Sequence, residues 1–147
     1  MYIAIEGIDT AGKSTQISLL QKAFADAIIT KEPGATAIGH QIRDIVLNGD
    51  VKSSKAEFLL FLADRAEHLE CVIKPNKNKM IISDRSVVSG IAYAMVKEDI
   101  ALDDILKLNH FATQGHYPDI VFLLELSPEE LQYRLSQKEL DGIELRG

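Results

Sequence analysis

A glycine-rich segment near the start of the chain has the residue types of a phosphate-binding loop. Residues 7–15 match the pattern G-x-x-x-x-G-K-[ST] and lie between an apolar stretch and a helical one. Glycines let the backbone approach phosphate oxygens, and the N–H groups that open the helix attract anions, as does the charge on Lys13. The Ser14 hydroxyl can ligate Mg²⁺. We therefore expect a nucleoside triphosphate to bind at Gly7, Ile8, Asp9, Thr10, Ala11, Gly12, Lys13, Ser14 and Thr15.

An Asp-Arg pair that ends a later apolar stretch indicates what happens to that triphosphate. Asp84 can hold a metal ion, and Arg85 can bind a transferred or accepting phosphoryl group. An arginine cannot activate water as a general base, so this position does not favour a hydrolase. Residues 76–79, Asn-Lys-Asn-Lys, lack the aspartate of a guanine-binding motif. The pattern favours phosphoryl transfer to a second anionic substrate.

Four short apolar stretches, alternating with helical ones, must position these groups. Such alternation predicts an α/β sandwich of three layers, with a mainly parallel sheet between helices on both faces. All four stretches are apolar enough to be buried strands. They are Tyr2–Glu6, Ala27–Lys31, Lys79–Ser83 and Ile120–Glu125.

Local signals place the main helices. Ile17, Leu20 and Phe24 follow the spacing of one apolar helix face. A capping box that begins at Ser54 predicts a long helix through Ile73, which Lys74-Pro75 ends. Ser127 and Pro128 fit the start of a final helix that runs to about Gln137. Residues 138–147 are polar, and we expect a tail or lid there.

Composition limits the class of protein. A chain of 147 residues with 46% hydrophobic and 26% charged residues is typical of one folded domain. The net charge of −6 argues against nucleic acid or an anionic membrane as a partner. The lone Cys71 cannot form an internal disulfide, and no apolar run approaches the length of a membrane span. We expect a cytoplasmic domain.

Several strings resemble the thymidylate kinase family, and they occur in the family's order along nearly the whole chain. They are Ile5-Glu6-Gly7 with its phosphate-binding loop, Thr30–Thr36, Gly39-x-x-Ile42-Arg43, Phe58–Ala66, Ile73-Lys74-Pro75, Ile82–Arg85, Ser89-x-x-Ala92-Tyr93 and Pro118-Asp119. The resemblance implies the fold of a P-loop nucleoside monophosphate kinase. It also implies ATP-dependent phosphorylation of thymidine monophosphate with Mg²⁺, held by Ser14 and Asp84, in a homodimer.

The resemblance also implies roles for individual residues. Lys13, Arg85 and Asp9 would be catalytic. Arg43 and Arg85 would bind the acceptor phosphate, and Asp9 and Glu32 would lie near the acceptor sugar and the metal. Phe61 would stack on thymine, Arg65 would donate to its exocyclic oxygen, and Tyr93 would lie under the deoxyribose. The acceptor set is Asp9, Glu32, Pro33, Arg43, Phe61, Arg65, Arg85, Ser89, Gly90 and Tyr93.

The lid departs from the family pattern. Residues 138–144 resemble its ending, but Gly142 stands where an arginine is usual. Arg134, Lys138 and Arg146 are then the candidates for the lid cation, and Arg134 joins the ATP-binding set. We expect residues 1–147 to form a single kinase domain whose lid begins at 134, without the C-terminal strand and helices of relatives.

Two other functions stay open at this stage. One is a kinase for another nucleoside monophosphate, and the second is a nucleotide-binding module with little turnover. The four histidines show no metal-ligand spacing, so we expect solvated or packing roles for His40, His68, His110 and His116. Cys71 is expected to be a packing residue.

Overall fold

Four parallel strands form a sheet in the computed structural model, which describes residues 1–97 and 99–136. The strand order is β2-β3-β1-β4, and each neighbouring pair is parallel, which confirms the predicted α/β fold. The observed boundaries differ from the predicted ones by one or two residues. The strands are β1 (Tyr2–Gly7), β2 (Ile28–Lys31), β3 (Ile81–Asp84) and β4 (Ile120–Leu124).

Helices cover both faces of this sheet. On one face, Ile3, Ile5 and Ile82 pack against Ile17 of the first helix. On the opposite face, Tyr2 and Ile81 pack against the turns that follow the third helix. The helices within the described residues are α1 (Lys13–Ala23), α2 (Ala37–Asn48), α3 (Ser54–His68), α4 (Val87–Val96), α5 (Leu102–Thr113) and α6 (Pro128–Leu135).

Helix α3 is shorter than the sequence predicted. Ser53 rather than Ser54 caps it, because the Ser53 hydroxyl accepts a hydrogen bond from the N–H of Ala56. The α-helix ends at His68, and a π-helical turn (Leu69–Ile73) and a 3₁₀ turn (Lys74–Asn76) follow. Pro75 has no N–H with which to continue the helical hydrogen bonds, so the regular helix cannot extend past this region.

The other predicted helices fit better. Ser127 caps α6 by accepting from the N–H of Glu130, and Pro128 is the first helical residue, as predicted. α6 ends at Leu135, two residues before the predicted end at about Gln137, and the tail or lid expected at 138–147 lies outside the described residues. In α1, Ile17 is buried as expected, whereas Phe24 follows the helix and is 46% exposed.

Strand β4 contradicts the prediction of four buried strands. Its residues from Ile120 to Leu123 are 39–61% exposed, whereas β1 and β3 are almost completely buried. β4 lies at the end of the strand order, while α1 and α4 pack against the central part of the sheet. No helix among residues 1–97 and 99–136 is long and apolar enough to cross a membrane.

The strand register brings three loops to one edge of the sheet. Asp84 at the end of β3 lies opposite Ile5 of β1 and Lys31 of β2. The segments after β1, β2 and β3 therefore leave the sheet side by side. Ligands of open parallel sheets bind at this carboxyl edge.

Candidate active site

The segment after β1 folds around the side chain of Lys13. The Lys13 ammonium is buried and donates to the carbonyl oxygens of Gly7 and Ile8, both at 3.0 Å. Gly7 has a φ of +146°, and a Cβ there would lie 2.6 Å from the carbonyl oxygen of Leu124. Only glycine fits this position, because both its backbone angle and its contact with β4 exclude a side chain.

An open cavity of about 1120 Å³ lies beside this loop. Arg134 reaches it from α6 and donates from Nη1 to the carbonyl oxygen of Thr10 at 2.9 Å. The Arg134 Nε also donates to Glu130, one helical turn earlier. The helix that precedes the predicted lid is thus attached to the loop. The cavity is lined by Asp9, Thr10, Gly12, Lys13, Ser14, Thr15, Asp84, Tyr133 and Arg134.

The donor set of this cavity fits a magnesium ion. Oδ1 of Asp84 and Oγ1 of Thr10 are buried and have no hydrogen-bond partner among the described residues. Ser14 lines the same cavity as Asp84. A buried carboxylate oxygen without a partner is unfavourable unless a cation or a donor approaches it. The two residues proposed from the sequence as metal ligands therefore share one cavity, in which phosphate oxygens and water would supply the remaining ligands.

Arg85 connects this loop to a second cavity. Its Nη1 donates to the Gly7 carbonyl oxygen and to Oγ of Ser89, both at 3.2 Å. Its guanidinium carbon lies 5.7 Å from the centre of the Tyr93 ring, within the range of a cation–π contact. The Arg85 backbone has a φ of +66°, which is uncommon for a residue with a side chain. The turn after β3 therefore directs this cation toward the loop.

The second cavity, which we call the acceptor cleft, is open to solvent and spans about 540 Å³ including that open space. The structure brings nine of the ten predicted acceptor residues to it, and Asp9 lies in the loop cavity instead. Leu47, Asp64 and Ser86 also line it. The nine are Glu32, Pro33, Arg43, Phe61, Arg65, Arg85, Ser89, Gly90 and Tyr93.

Helices α2 and α3 hold the loop that forms one wall of the acceptor cleft. The peptide between Glu32 and Pro33 is cis, and Arg43 donates to the Pro33 carbonyl oxygen at 3.3 Å. The N–H of Gly34 donates to Oδ1 of Asp64 at 2.9 Å. Burial raises the pKa of Asp64, and the Gly34 hydrogen bond offsets part of that effect. The loop is thus held by a helix on each side.

Glu32, expected near the acceptor sugar and the metal, lines the acceptor cleft and not the cavity of the proposed metal ligands. Its carboxylate accepts from Nε of Arg65 at 2.9 Å and faces Nδ1 of His68 at 2.8 Å. Glu32 does not line the loop cavity. Burial alone would raise the pKa of Glu32, but Arg65 and His68 together outweigh it, and the pKa lies below its usual range. The geometry therefore makes Glu32 a partner of Arg65 at the bottom of the acceptor cleft.

The sequence analysis missed several buried polar residues near the acceptor cleft. Glu6 accepts hydrogen bonds from the hydroxyls of Ser86 and Ser89, and so ties β1 to α4. His68 was expected to be solvated or merely packed, yet it is fully buried with a partner at each ring nitrogen. Asn109 of α5 accepts from Arg65 at 2.6 Å. Of these residues only Glu6 carried a signal, since it directly precedes the phosphate-binding loop.

Cys71 is exposed, which contradicts the expected packing role. Its thiol lies 3.3 Å from a carboxylate oxygen of Glu67, one helical turn earlier. Lys138 and Arg146, two of the three candidates for the lid cation, lie outside the described residues. Within the part of the chain that is described, no group of three or more His, Cys, Asp or Glu side chains could hold a metal ion.

Comparison with known proteins adds an independent line of evidence. The family model described as thymidylate kinase matches residues 5–146. A thymidylate kinase of Sulfurimonas denitrificans is 71% identical over 147 residues, which are 100% of this chain and 77% of that protein. A thymidylate kinase of Wolinella succinogenes is 58% identical over 147 residues, covering 100% of this chain and 76% of its own.

A solved structure agrees with these sequence matches. The crystal structure of thymidylate kinase from Ehrlichia chaffeensis is 34% identical and superposes with a TM-score of 0.78. The match covers 93% of this chain and 82% of that one. The similarity therefore extends to the three-dimensional fold.

Proposed function

The chain belongs to the thymidylate kinase family, and from that premise we propose that its two cavities bind ATP and thymidine monophosphate for direct phosphoryl transfer. The γ-phosphoryl group of ATP passes to the 5′-phosphate of thymidine monophosphate, which gives ADP and thymidine diphosphate. The position of Arg85 is the observation that carries the proposal, because this residue lines the acceptor cleft and donates to the phosphate-binding loop.

In this proposal the loop binds the donor phosphates. Lys13 releases the carbonyl oxygens of Gly7 and Ile8 and turns its ammonium toward the phosphate oxygens. The N–H groups that open α1 attract the same anion. Arg134 contacts the triphosphate from the α6 side, a role supported by its hydrogen bond to Thr10. Asp9 lines the same cavity and orients the donor phosphates there.

Ser14 and Asp84 would hold the magnesium ion, which neutralises phosphate charge when it is bound. The support for this assignment is Oδ1 of Asp84, which has no hydrogen-bond partner within residues 1–97 and 99–136 and lies in the cavity that Ser14 lines. Neither residue transfers a proton in the proposal. Their task is to keep two oxygen ligands in place while the donor phosphates enter.

The acceptor cleft positions thymidine monophosphate. Arg43 and Arg85 bind its phosphate, and their charges offset the repulsion between two anionic substrates on an acidic protein. Phe61 stacks on the base, and Arg65 donates to a base carbonyl oxygen. Tyr93 packs under the deoxyribose beside Arg85. Catalysis then depends on positioning and charge stabilisation rather than on covalent chemistry.

We propose the cytoplasm as its location and a homodimer as its assembly. The single exposed cysteine is compatible with a reducing compartment. Large apolar side chains on the helices support self-association, since Phe111 is 81% exposed and Leu59 is 56% exposed. Sedimentation velocity of wild type and of Phe111→Ser would test the assembly. Equal monomer fractions at every concentration would contradict a role for that surface.

A nucleotide panel tests the proposed reaction. ADP release is measured with thymidine, deoxyuridine, deoxycytidine, uridine and adenosine monophosphates as acceptors, and the phosphorylated product is identified by chromatography. We expect thymidine monophosphate to give the highest kcat/KM. Lys13→Ala should abolish turnover, whereas Lys22→Ala, on the exposed side of the same helix, should not. Preference for adenosine or uridine monophosphate, or ATP binding without product, would contradict the proposal.

A further inference from the structure

A chain of buried hydrogen bonds ends at the base-binding arginine of the acceptor cleft. Nε2 of His68 lies 2.7 Å from Oγ1 of Thr30, and Nδ1 lies 2.8 Å from Oε1 of Glu32. The other oxygen of Glu32 accepts from Nε of Arg65 at 2.9 Å. Asn109 accepts from Nη1 of Arg65 at 2.6 Å. All five residues are buried, and Arg65 and Glu32 are the two that line the cleft.

The direction of these hydrogen bonds follows from the chemistry of the groups. Glu32 is ionised, because its pKa is lowered, and an ionised carboxylate only accepts. Nδ1 of His68 must therefore carry a hydrogen and donate it to Glu32. The Thr30 hydroxyl can donate to or accept from Nε2, so it satisfies the second ring nitrogen in either case. Hydrogen bonds at both nitrogens therefore fix the orientation of the His68 ring.

The same contacts leave Arg65 little freedom. Its Nε bonds to Glu32, one Nη1 hydrogen goes to Asn109, and Nη2 lies 3.5 Å from the carbonyl oxygen of Ser86. A Cβ on Gly90 would lie only 2.5 Å from Nη2, so the guanidinium packs directly on the backbone of α4. Contacts with other described residues thus use three of the five N–H groups and leave two for a ligand in the cleft.

We propose that His68 is a positioning residue for recognition of the thymine base, acting on Arg65 through Glu32. This inference rests on the proposed function, since it assigns the thymine carbonyl as the ligand of Arg65. Without the His68 hydrogen bond, the Glu32 carboxylate has one fixed oxygen and can rotate. The guanidinium that it holds then loses its orientation toward the base.

Loss of the His68 hydrogen bond should affect the binding of thymidine monophosphate and not that of ATP. Thr30, His68, Glu32, Arg65 and Asn109 line no part of the loop cavity, so ATP binding should not depend on them. A guanidinium only donates hydrogen bonds and therefore favours a carbonyl oxygen over an amino group. Thymine carries a carbonyl oxygen at C4, which we take as the ligand of Arg65, and cytosine carries an amino group at that position. A loosened Arg65 should therefore weaken discrimination between these bases.

Two substitutions of His68 separate its two hydrogen bonds. The amide nitrogen of Asn occupies the place of Nδ1, so His68→Asn can still donate to Glu32. The amide of Gln reaches the place of Nε2, so His68→Gln keeps the Thr30 side and loses Glu32. We expect His68→Gln to raise KM for thymidine monophosphate about tenfold, the typical effect of one buried hydrogen bond. KM for ATP should stay within about twofold of wild type.

Two further measurements distinguish a positioning role of His68 from an effect on folding stability alone. The ratio of kcat/KM for thymidine over deoxycytidine monophosphate should fall in His68→Gln and recover in His68→Asn. Thermal unfolding of each variant is measured, and kinetics are run below the lowest midpoint. If KM and the base ratio of folded His68→Gln equal those of wild type, the proposal is wrong even where its unfolding midpoint has dropped.

A third variant keeps the test decisive if His68→Gln does not fold. Thr30→Val has nearly the same volume and removes only the partner of Nε2. We expect it to raise KM for thymidine monophosphate about threefold with KM for ATP unchanged. An unchanged KM in folded Thr30→Val would overturn the proposal. A wild-type enzyme that does not phosphorylate thymidine monophosphate would instead refute the proposed function itself.

Discussion

Arg85, which lines the acceptor cleft, donates a hydrogen bond from Nη1 to the carbonyl oxygen of Gly7 at 3.2 Å. The contact joins the turn after β3 to the first residue of the phosphate-binding loop. Ser89 accepts a second bond from the same nitrogen. A single side chain thus has a partner on each side of the point where donor and acceptor phosphates would meet.

Arg85→Lys should lower kcat about 10²-fold, because lysine keeps the charge but cannot bond Gly7, Ser89 and a phosphate from one planar group. Steady-state kinetics with both substrates would measure the loss. Lys55→Gln, an exposed change on α3, serves as the control and should keep wild-type kcat. Equal kcat in Arg85→Lys and wild type would remove Arg85 from the catalytic set.

Asp84→Asn should raise the magnesium concentration for half-maximal activity about tenfold, since it replaces a charged oxygen ligand by a neutral one. The metal-free protein should keep or gain thermal stability, because an amide replaces the carboxyl group whose buried Oδ1 has no hydrogen-bond partner in the described part of the chain. Magnesium titration and thermal unfolding in a chelator test both statements. Asp26→Asn, in the exposed turn after α1, should change neither quantity. A lower unfolding midpoint for Asp84→Asn in chelator would contradict our account of that oxygen.

Gly90→Ala should raise KM for thymidine monophosphate and destabilise the protein by about 1–3 kcal/mol. The added methyl would lie 2.5 Å from Nη2 of Arg65, which must move away from α4. Denaturant unfolding and acceptor kinetics would show the two effects together. Ala92→Ser adds one heavy atom to the exposed side of the same helix and should be neutral. Equal KM values for thymidine monophosphate in the two variants would contradict this prediction, because they would show that Arg65 can be displaced without loss of acceptor binding.

Glu32 and Asp64 should affect acid stability in opposite directions. The folded pKa of Glu32 is lowered, so its ionisation favours folding above the unfolded pKa of about 4.5, and this contribution disappears as the pH falls through the folded pKa. The folded pKa of Asp64 is raised, so its contribution is greatest when the pH is low and is lost as the pH rises through that pKa.

Urea unfolding between about pH 3 and pH 7 would separate the two carboxyl groups. Relative to wild type, Glu32→Gln should flatten the loss of stability in acid, and Asp64→Asn should make it steeper. The pH dependence of each difference in unfolding free energy is the readout, because it does not include the constant effect of the substitution. Parallel curves for all three proteins would show that these groups have ordinary pKa values in the folded state.

The sequence was informative where the relevant contacts are local. The spacing of Gly7, Gly12 and Lys13 determines a loop within one strand–helix connection, and Ser127 caps a helix only three residues away. The correct cap of α3 was harder to choose, because Ser53 and Ser54 are both serines at adjacent positions. Only the backbone geometry decides which hydroxyl faces the N–H of Ala56.

Long-range contacts were beyond such reasoning. His68 meets Glu32 across 36 residues and Thr30 across 38, and no periodic pattern records that approach. In sequence, Asn109 belongs to an ordinary amphipathic helix. It contacts Arg65 only because α3 and α5 pack together. The prediction that β4 is buried was wrong for a similar reason. An apolar run does not reveal whether a strand is central or at the edge of its sheet.

Thr10 and Arg85 both have side chains and both adopt positive φ angles, +63° and +66°. Glycine or asparagine would relax the backbone at either position and stabilise the fold. A library of variants selected only for heat resistance should therefore accumulate such replacements in these two turns, and the Arg85 replacements among them should be inactive. Engineering a robust version of this enzyme thus requires a screen for turnover at every round.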